Sequence, residues 1–477
     1  MQVIGTTASA TRGVGPTAIV LVLAALIGVW MAVAGPVVVA PFFGLLLVVA
    51  IVARPEYGIA LFLSTFLMNY PQALQGSGFL TINNVLGGIF LVLLVYKVYR
   101  EEDFWFLRCP EIHLLGFVIV AFYVSAQLNG PDPRLVALLG AQERGGPGLR
   151  LFLNRAAFTL FFINFIRTAE HVRMIYVLAL AFMVVSALTG MQSVLRGGGI
   201  YGGRATAEAS LIAAALNPNR LAMFSILAIA GLWYLMQSMR IPALRVMIVP
   251  TVVVLALTVL MTASRSGLLG LGVAVVAILW DQRVSLMGLL SLSLAAVMLL
   301  LLATQFVPQR SMERLLNLPG TEAAATGEGA GSLERRQYTW EVALNIARES
   351  PFLGVGMGNW ELVRFLRDPT RSTAAPHSSY LLAMVEGGVF CLGGFLVLLW
   401  RTWRNLKISE HYLRDPAFPL ADLLWIVKGA KVSFLVLIFF SLFADLWQLI
   451  ILFWLVALGI VIRRLTEQAA FEQSLAA

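Results

Sequence analysis

Charge is the scarcest ingredient of this 477-residue chain: Asp, Glu, Lys and Arg make up 12% of it, about half the ~25% of soluble domains. That shortage excludes disorder and a soluble enzyme on a single anchor, because no soluble core could hide so much apolar sequence. Cysteine is almost absent: Cys109 falls at a cytoplasmic loop end and Cys391 inside a hydrophobic run, so the two should not meet and no disulfide framework is implied. Low-complexity segments and fixed-period repeats are missing too. What remains is 59% hydrophobic, with a mean hydropathy of +0.85. Runs such as Pro16–Gly35, Val37–Ala53 and Val284–Val307 approach the ~20 residues that cross a bilayer.

The chain therefore reads as an all-α, polytopic helical membrane protein with about 12–14 spans. Hydropathy places them at 17–35, 37–53, 57–70, 80–99, 111–128, 151–167, 172–195, 219–239, 243–262, 265–280, 285–307, 377–400, 429–444 and 446–462. Barrel strands would alternate in polarity, and no such alternation is present. Arg12, an apolar stretch and Ala32-Val33-Ala34 imitate a cleaved signal. A second span follows at once, so a retained first span is expected.

Basic residues set the orientation. With both termini in the cytoplasm, all four lysines (Lys97, Lys407, Lys428, Lys431) lie on that side or at its membrane edge. Sixteen of the thirty arginines nevertheless fall on the outer side, between Arg134 and Arg371. Two readings stay open: an arginine-preferring genome with long loops that escape the orientation rule, or an outer face that grips a multiply anionic group through bidentate guanidinium forks. Nucleic acid is implausible there, so a lipid phosphate is the natural anion.

Residues 308–376 form the one long soluble piece, too long for an idle connection. Ser332 can cap a helix reaching about Glu349, stopped by Pro351, with Leu333, Trp340, Leu344 and Ala347 on one face. A turn Gly354-Val355-Gly356-Met357-Gly358 follows, and Asn359 can cap a second helix reaching Arg367. The glycine run follows a helix rather than a strand, which argues against nucleotide binding.

Polar residues gather at the outer ends of several spans: Asn217-Pro218-Asn219-Arg220, Ser264-Arg265-Ser266 and Pro376-His377-Ser378-Ser379, with Arg204 in the loop before the first. Each has an ordinary use as a helix cap or a snorkelling arginine. Glu386 lies nine residues along its span, where an ionisable side chain asks for a reason. Taken together, arginines can neutralise a diphosphate while a histidine takes a proton from an attacking hydroxyl. Neither an Asp-x-Asp pair nor a Cys/His cluster sits on the outer side, so no metal or other cofactor is expected.

These residues carry a resemblance. Arg335-Arg336-Gln337-Tyr338-Thr339-Trp340-Glu341, then Ser350-Pro351-Phe352-Leu353-Gly354-Val355-Gly356-Met357-Gly358-Asn359-Trp360, resembles the large periplasmic loop of the O-antigen ligase and O-antigen polymerase superfamily. His377-Ser378-Ser379-Tyr380-Leu381 with Glu386-Gly387-Gly388 resembles the span after it, and Arg265 with Leu269 fits an Arg-x-x-x-Leu pattern. The likeness covers about residues 200–400, preceded by further spans in 1–200 and followed by C-terminal spans and a tail in 401–477.

The resemblance implies a GT-C-like, metal-independent, inverting glycosyltransferase of the bacterial inner membrane, with a periplasmic site. Its donor would be an undecaprenyl-diphosphate-linked glycan, and its acceptor a glycan or lipid-linked glycan. His377 would activate the acceptor hydroxyl, and Arg265 with Arg220 would hold the diphosphate. Arg204, Arg335 and Arg336 are further candidates for that diphosphate, and Asn219, Ser378 and Glu386 are expected to support the site. The family often has Asn after the histidine; Ser378 here, together with the number of spans, leans toward polymerase. A transporter of a small anion or a glycolipid is the competing expectation.

Overall fold

The computed structural model describes residues 36–67, 81–129, 147–196, 217–283, 285–307, 309–316, 330–368, 376–446 and 449–476. Among them there is no strand. The helices are α1 (Pro36–Ala53), α2 (Pro55–Leu67), α3 (Ile82–Glu101), α4 (Pro110–Asn129), α5 (Pro147–Phe165), α6 (Ala169–Leu195), α7 (Pro218–Ser238) and α8 (Pro242–Met261). Then come α9 (Arg265–Gln282), α10 (Leu286–Phe306), α11 (Gln309–Leu316), α12 (Ala330–Glu349), α13 (Trp360–Arg367), α14 (Ser379–Leu413), α15 (Leu424–Phe440) and α16 (Ile450–Ala476). Helices stand at every span position expected from hydropathy except 17–35, which lies outside the described residues. Seven of the described segments are long and apolar enough to cross a membrane: α3, α4, α6, α7, α8, α14, and α15 with its leading turn.

The chain divides into two compact units, Met1–Gly58 and Ile59–Ala477. In the first, α1 turns apolar side chains such as Leu45, Val49 and Val52 outward, as a helix in lipid does. Everything below concerns the second.

Helix α7 is its axis, with Leu221 through Leu232 buried almost without a break. It packs on α15, α8, α6 and α9. Small residues permit the approach: the Cβ that Gly429 of α15 lacks would stand 3.2 Å from the Cα of Gly231 on α7. Helix α14 packs on α16, α4 and α15, and carries α12 against its first turns. The free thiols Cys109 and Cys391 are both buried.

Chain direction sorts the ends of these helices. The N-termini of α5, α7, α9 and α14 share one end of the bundle with the C-termini of α4 and α15. The opposite end carries a dense ionic framework. There Glu111 accepts from Arg401 Nε at 2.8 Å and Asn405 Nδ2 at 3.0 Å, and Arg463 Nη1 donates to Asn405 at 2.9 Å.

Candidate active site

Three short motifs cap the helices that meet at the first end. Asn217 accepts from the backbone N–H of Asn219 at 2.8 Å and starts α7. Ser264 accepts from Gly267 N at 2.9 Å and starts α9. Ser378 accepts from Leu381 N at 3.4 Å and starts α14. Ser264 Oγ also donates to Asn219 Oδ1 at 2.8 Å, tying the α7 and α9 ends together. That bond gives Asn219 its supporting place and fixes the backbone from which Arg265 projects.

The start of α14 is clamped just as firmly to the turn after α15. Ser379 N donates to Ser441 O at 2.8 Å, Ser379 Oγ donates to Ala444 O at 2.8 Å, and Leu446 N donates back to Ser379 Oγ at 2.7 Å. This clamp sets Asp445 opposite His377, with Oδ2 3.4 Å from Nδ1. Asp445 Oδ1 is buried and has no hydrogen-bond partner. His377 itself has φ +50°, and buried Ala263, beside Ser264, has φ +46°. Left-handed backbone at non-glycine residues is strained and persists only where the surroundings over-determine it. Both strained residues flank this end of the bundle.

Asp445 acts electrostatically on Arg220, and Arg220 in turn repels Arg155. Arg155 comes from α5, whose first turn abuts Gly358: a Cβ on Gly148 would lie 2.9 Å from the Gly358 nitrogen. Its guanidinium sits 4.0 Å above the Phe66 ring, while its Nε and Nη1 are shut off from solvent and unbonded. Arg155 thus brings buried, unpartnered donors to the end of the bundle at which Arg220 lies in the first turn of α7.

Helix α12 roofs the start of α14. Trp340 Nε1 of α12 donates to Pro376 O at 2.7 Å, one residue before His377. This corrects the expected apolar face at Trp340 and Leu344, while Ala347 is buried as expected and the Leu333 side chain lies outside the described ones. Trp340 and Leu344 are partly exposed, and Thr339, Ala343, Ile346 and Ala347 form the buried stripe. The indole spends its N–H on the roof contact, which turns the helix by about one residue. Glu349 and Arg367 then pair across α12 and α13, and that hydrogen bond holds the exposed Glu349 carboxyl below its ordinary value.

The glycine run has a structural use. Helix α14 breaks at Gly388 (φ +65°, ψ −165°), a region essentially reserved for glycine. The freed carbonyls of Val385 and Glu386 accept from Val355 N and Gly356 N, both at 2.9 Å, and Val389 N donates to Pro351 O at 2.8 Å. The Glu386 side chain accepts from the backbone N–H groups of Gly358 and Trp360, so it caps α13. Asn359 occupies the cap position, but its Nδ2 donates to Val355 O at 2.9 Å instead of its side chain capping the helix.

Of the residues expected from sequence, His377, Ser378, Asn219, Arg220 and Arg265 share this end, and Glu386 lies within electrostatic reach of Asp445. Arg336 is half-buried on α12. Arg335 has no described side chain, and Arg204 lies outside the described residues. Asp445 and Arg155 were missed by the sequence reading, although each left a signal. Asp445 is a lone acid between two apolar runs, and Arg155 is an ionisable residue inside a span. Among the described residues no group of three or more His, Cys, Asp or Glu is placed to hold a metal ion.

The family model described as O-Antigen ligase matches residues 250–399, from α8 through the roof and into α14. No curated protein matches the chain. Among solved structures, the crystal structure of the human organic anion transporter MFSD10 (TETRAN) aligns at 15% identity over 74% of this chain and 92% of that one. Its TM-score of 0.13 is too low to bear on the fold.

Proposed function

We propose, from the match of residues 250–399 to the O-antigen ligase family model, that the chain transfers a glycan from an undecaprenyl-diphosphate-linked donor to an acceptor hydroxyl at the periplasmic face of the bacterial inner membrane. The observation that carries the reading is the juxtaposition of the His377–Asp445 pair with the arginines that open α7 and α9, Arg220 and Arg265, at one end of the bundle. The first suits proton removal and the second suits a departing diphosphate.

With Nδ1–H directed at Asp445, the Nε2 lone pair of His377 faces the acceptor. The acceptor oxygen attacks the anomeric carbon as Nε2 takes its proton. The bond from that carbon to the phosphate oxygen breaks, and the electron pair leaves on the diphosphate. Arg220, Arg155 and Arg265 neutralise that charge, so no metal is required. Direct displacement inverts the anomeric carbon.

Asp445 is a positioning residue. Asp445→Asn should lower kcat about tenfold or more with KM little changed, and Asp445→Glu should restore part of the rate. A KM rise with kcat intact would instead assign Asp445 to substrate binding. Arg155→Ala should raise donor KM roughly ten- to a hundredfold, the worth of one charge-assisted hydrogen bond. Unchanged donor saturation curves would return Arg155 to a packing role on Phe66.

The purified protein, reconstituted with a lipid-diphosphate-linked glycan, tests the reading directly. A ladder of repeat units on one lipid identifies a polymerase, and a single transfer to an added acceptor identifies a ligase. An intact donor with every host acceptor would sink both.

A further inference from the structure

A cavity of about 1150 Å³ opens at the end of the bundle away from His377. Its wall carries five cationic side chains, Arg283, Lys407, Arg414, Lys428 and Lys431, and one carboxylate, Asp281. Lys428 pairs with Asp281 at 3.0 Å, Arg414 with Glu410 at 2.9 Å, and Lys431 also with Glu410. Five positive charges against the two carboxylates leave three uncompensated. Arg283 and Lys407 are exposed, and neither makes an ion pair with a described residue.

The rest of the wall is apolar and runs into the spanning part of the fold. On α9 it extends from Gly272, whose missing Cβ would meet nothing within 4 Å, past Val276 to Trp280. The eight steps from Gly272 to Trp280 cover about 12 Å of helix axis. Val432 and Leu435 of α15 face the strip across the cavity. Trp280, 86% exposed, and Trp403 stand beside the cations, where indoles mark a membrane–water boundary. A free anion would use the cations and leave the strip idle. A headgroup at the helix ends with a chain along α9 uses both.

We propose that this cleft holds an anionic phospholipid of the surrounding bilayer, with two phosphates among the uncompensated cations and an acyl chain along the Gly272–Trp280 strip. The occupant is a resident of the membrane rather than the donor, because the cleft lies at the far end of α14 from His377. Beyond the break at Gly388, residues 389 and 407 alone are eighteen positions apart, about 27 Å of helical rise.

Native mass spectrometry of the full-length protein with diphosphatidylglycerol or phosphatidylcholine tests the assignment. The wild type should retain the two-phosphate lipid, and the paired substitution Arg283→Ala/Lys407→Ala should weaken that retention on the order of thirtyfold. Phosphatidylcholine should bind weakly and equally to both proteins. Should the pair fail to fold, Lys407→Glu alone at its exposed site reads the same loss. Equal retention of phosphatidylcholine by the wild type, or unchanged diphosphatidylglycerol binding in the variants, would overturn the proposal. Displacement of the lipid by millimolar inorganic phosphate would also overturn it, by reducing the cleft to an ion site.

Discussion

His377→Ala is expected to lower glycan transfer by about 10²–10⁴-fold, the usual worth of a positioned general base, while the protein keeps its expression and melting temperature. The reason for expecting such a clean loss is local. The bonds that seat this corner belong to Ser378 and Ser379, which the substitution leaves in place. The left-handed backbone at 377 is strained for alanine as it is for histidine, so alanine removes the imidazole without removing the strain. His377→Asn is the stricter control, since asparagine tolerates that conformation but cannot take the proton. Single-turnover transfer with a saturating lipid-linked donor is the measurement. A full rate in either variant would move the base elsewhere.

Gly388→Ala should damage the fold rather than the chemistry, at a cost on the order of 3 kcal/mol or more. A Cβ at 388 would stand 2.1 Å from the carbonyl oxygen of Phe352, which is backbone and cannot swing aside. Its φ and ψ also suit glycine alone. Relief requires α14 to straighten, and a straight helix would reclaim the Val385 and Glu386 carbonyls from Val355 and Gly356. Residues 351–356 would then lose their seat. Limited proteolysis between α12 and α14, read beside thermal unfolding, should show early cleavage and a lower midpoint. A Gly388→Ala protein with wild-type stability would mean that the break is not required.

How much of this was legible beforehand depends on the range of the interaction. Helix positions follow from hydropathy, a local property, and so do the caps at Asn217, Ser264 and Ser378, whose partners lie two or three residues away. The break at Gly388 was not legible, because it is defined by carbonyl partners more than thirty residues earlier in the chain. Asp445 escaped for a similar reason. Hydropathy marked it only as the gap between two apolar runs, and its meaning comes from the clamp that brings Ser379 to Ala444. Arg155 was visible as one arginine among many on the outer side. Its distinction, idle donors beside Arg220, exists only in three dimensions. The buried stripe of α12 was misread because the indole of Trp340 was counted as apolar bulk, whereas its N–H decides which way the helix faces.

The seam between residues 351–356 and the broken turn of α14 consists of main-chain bonds, and such bonds do not read side-chain identity. Apart from glycines where no Cβ fits, such as Gly354 and Gly388, that contact places little demand on sequence. The roof is in effect an exchangeable cassette plugged into a standard socket. Chimaeras that carry a relative's roof, with both glycines retained, should seat correctly on this membrane core. The sequence of the roof can then change while the histidine, its carboxylate and the arginines stay where they are.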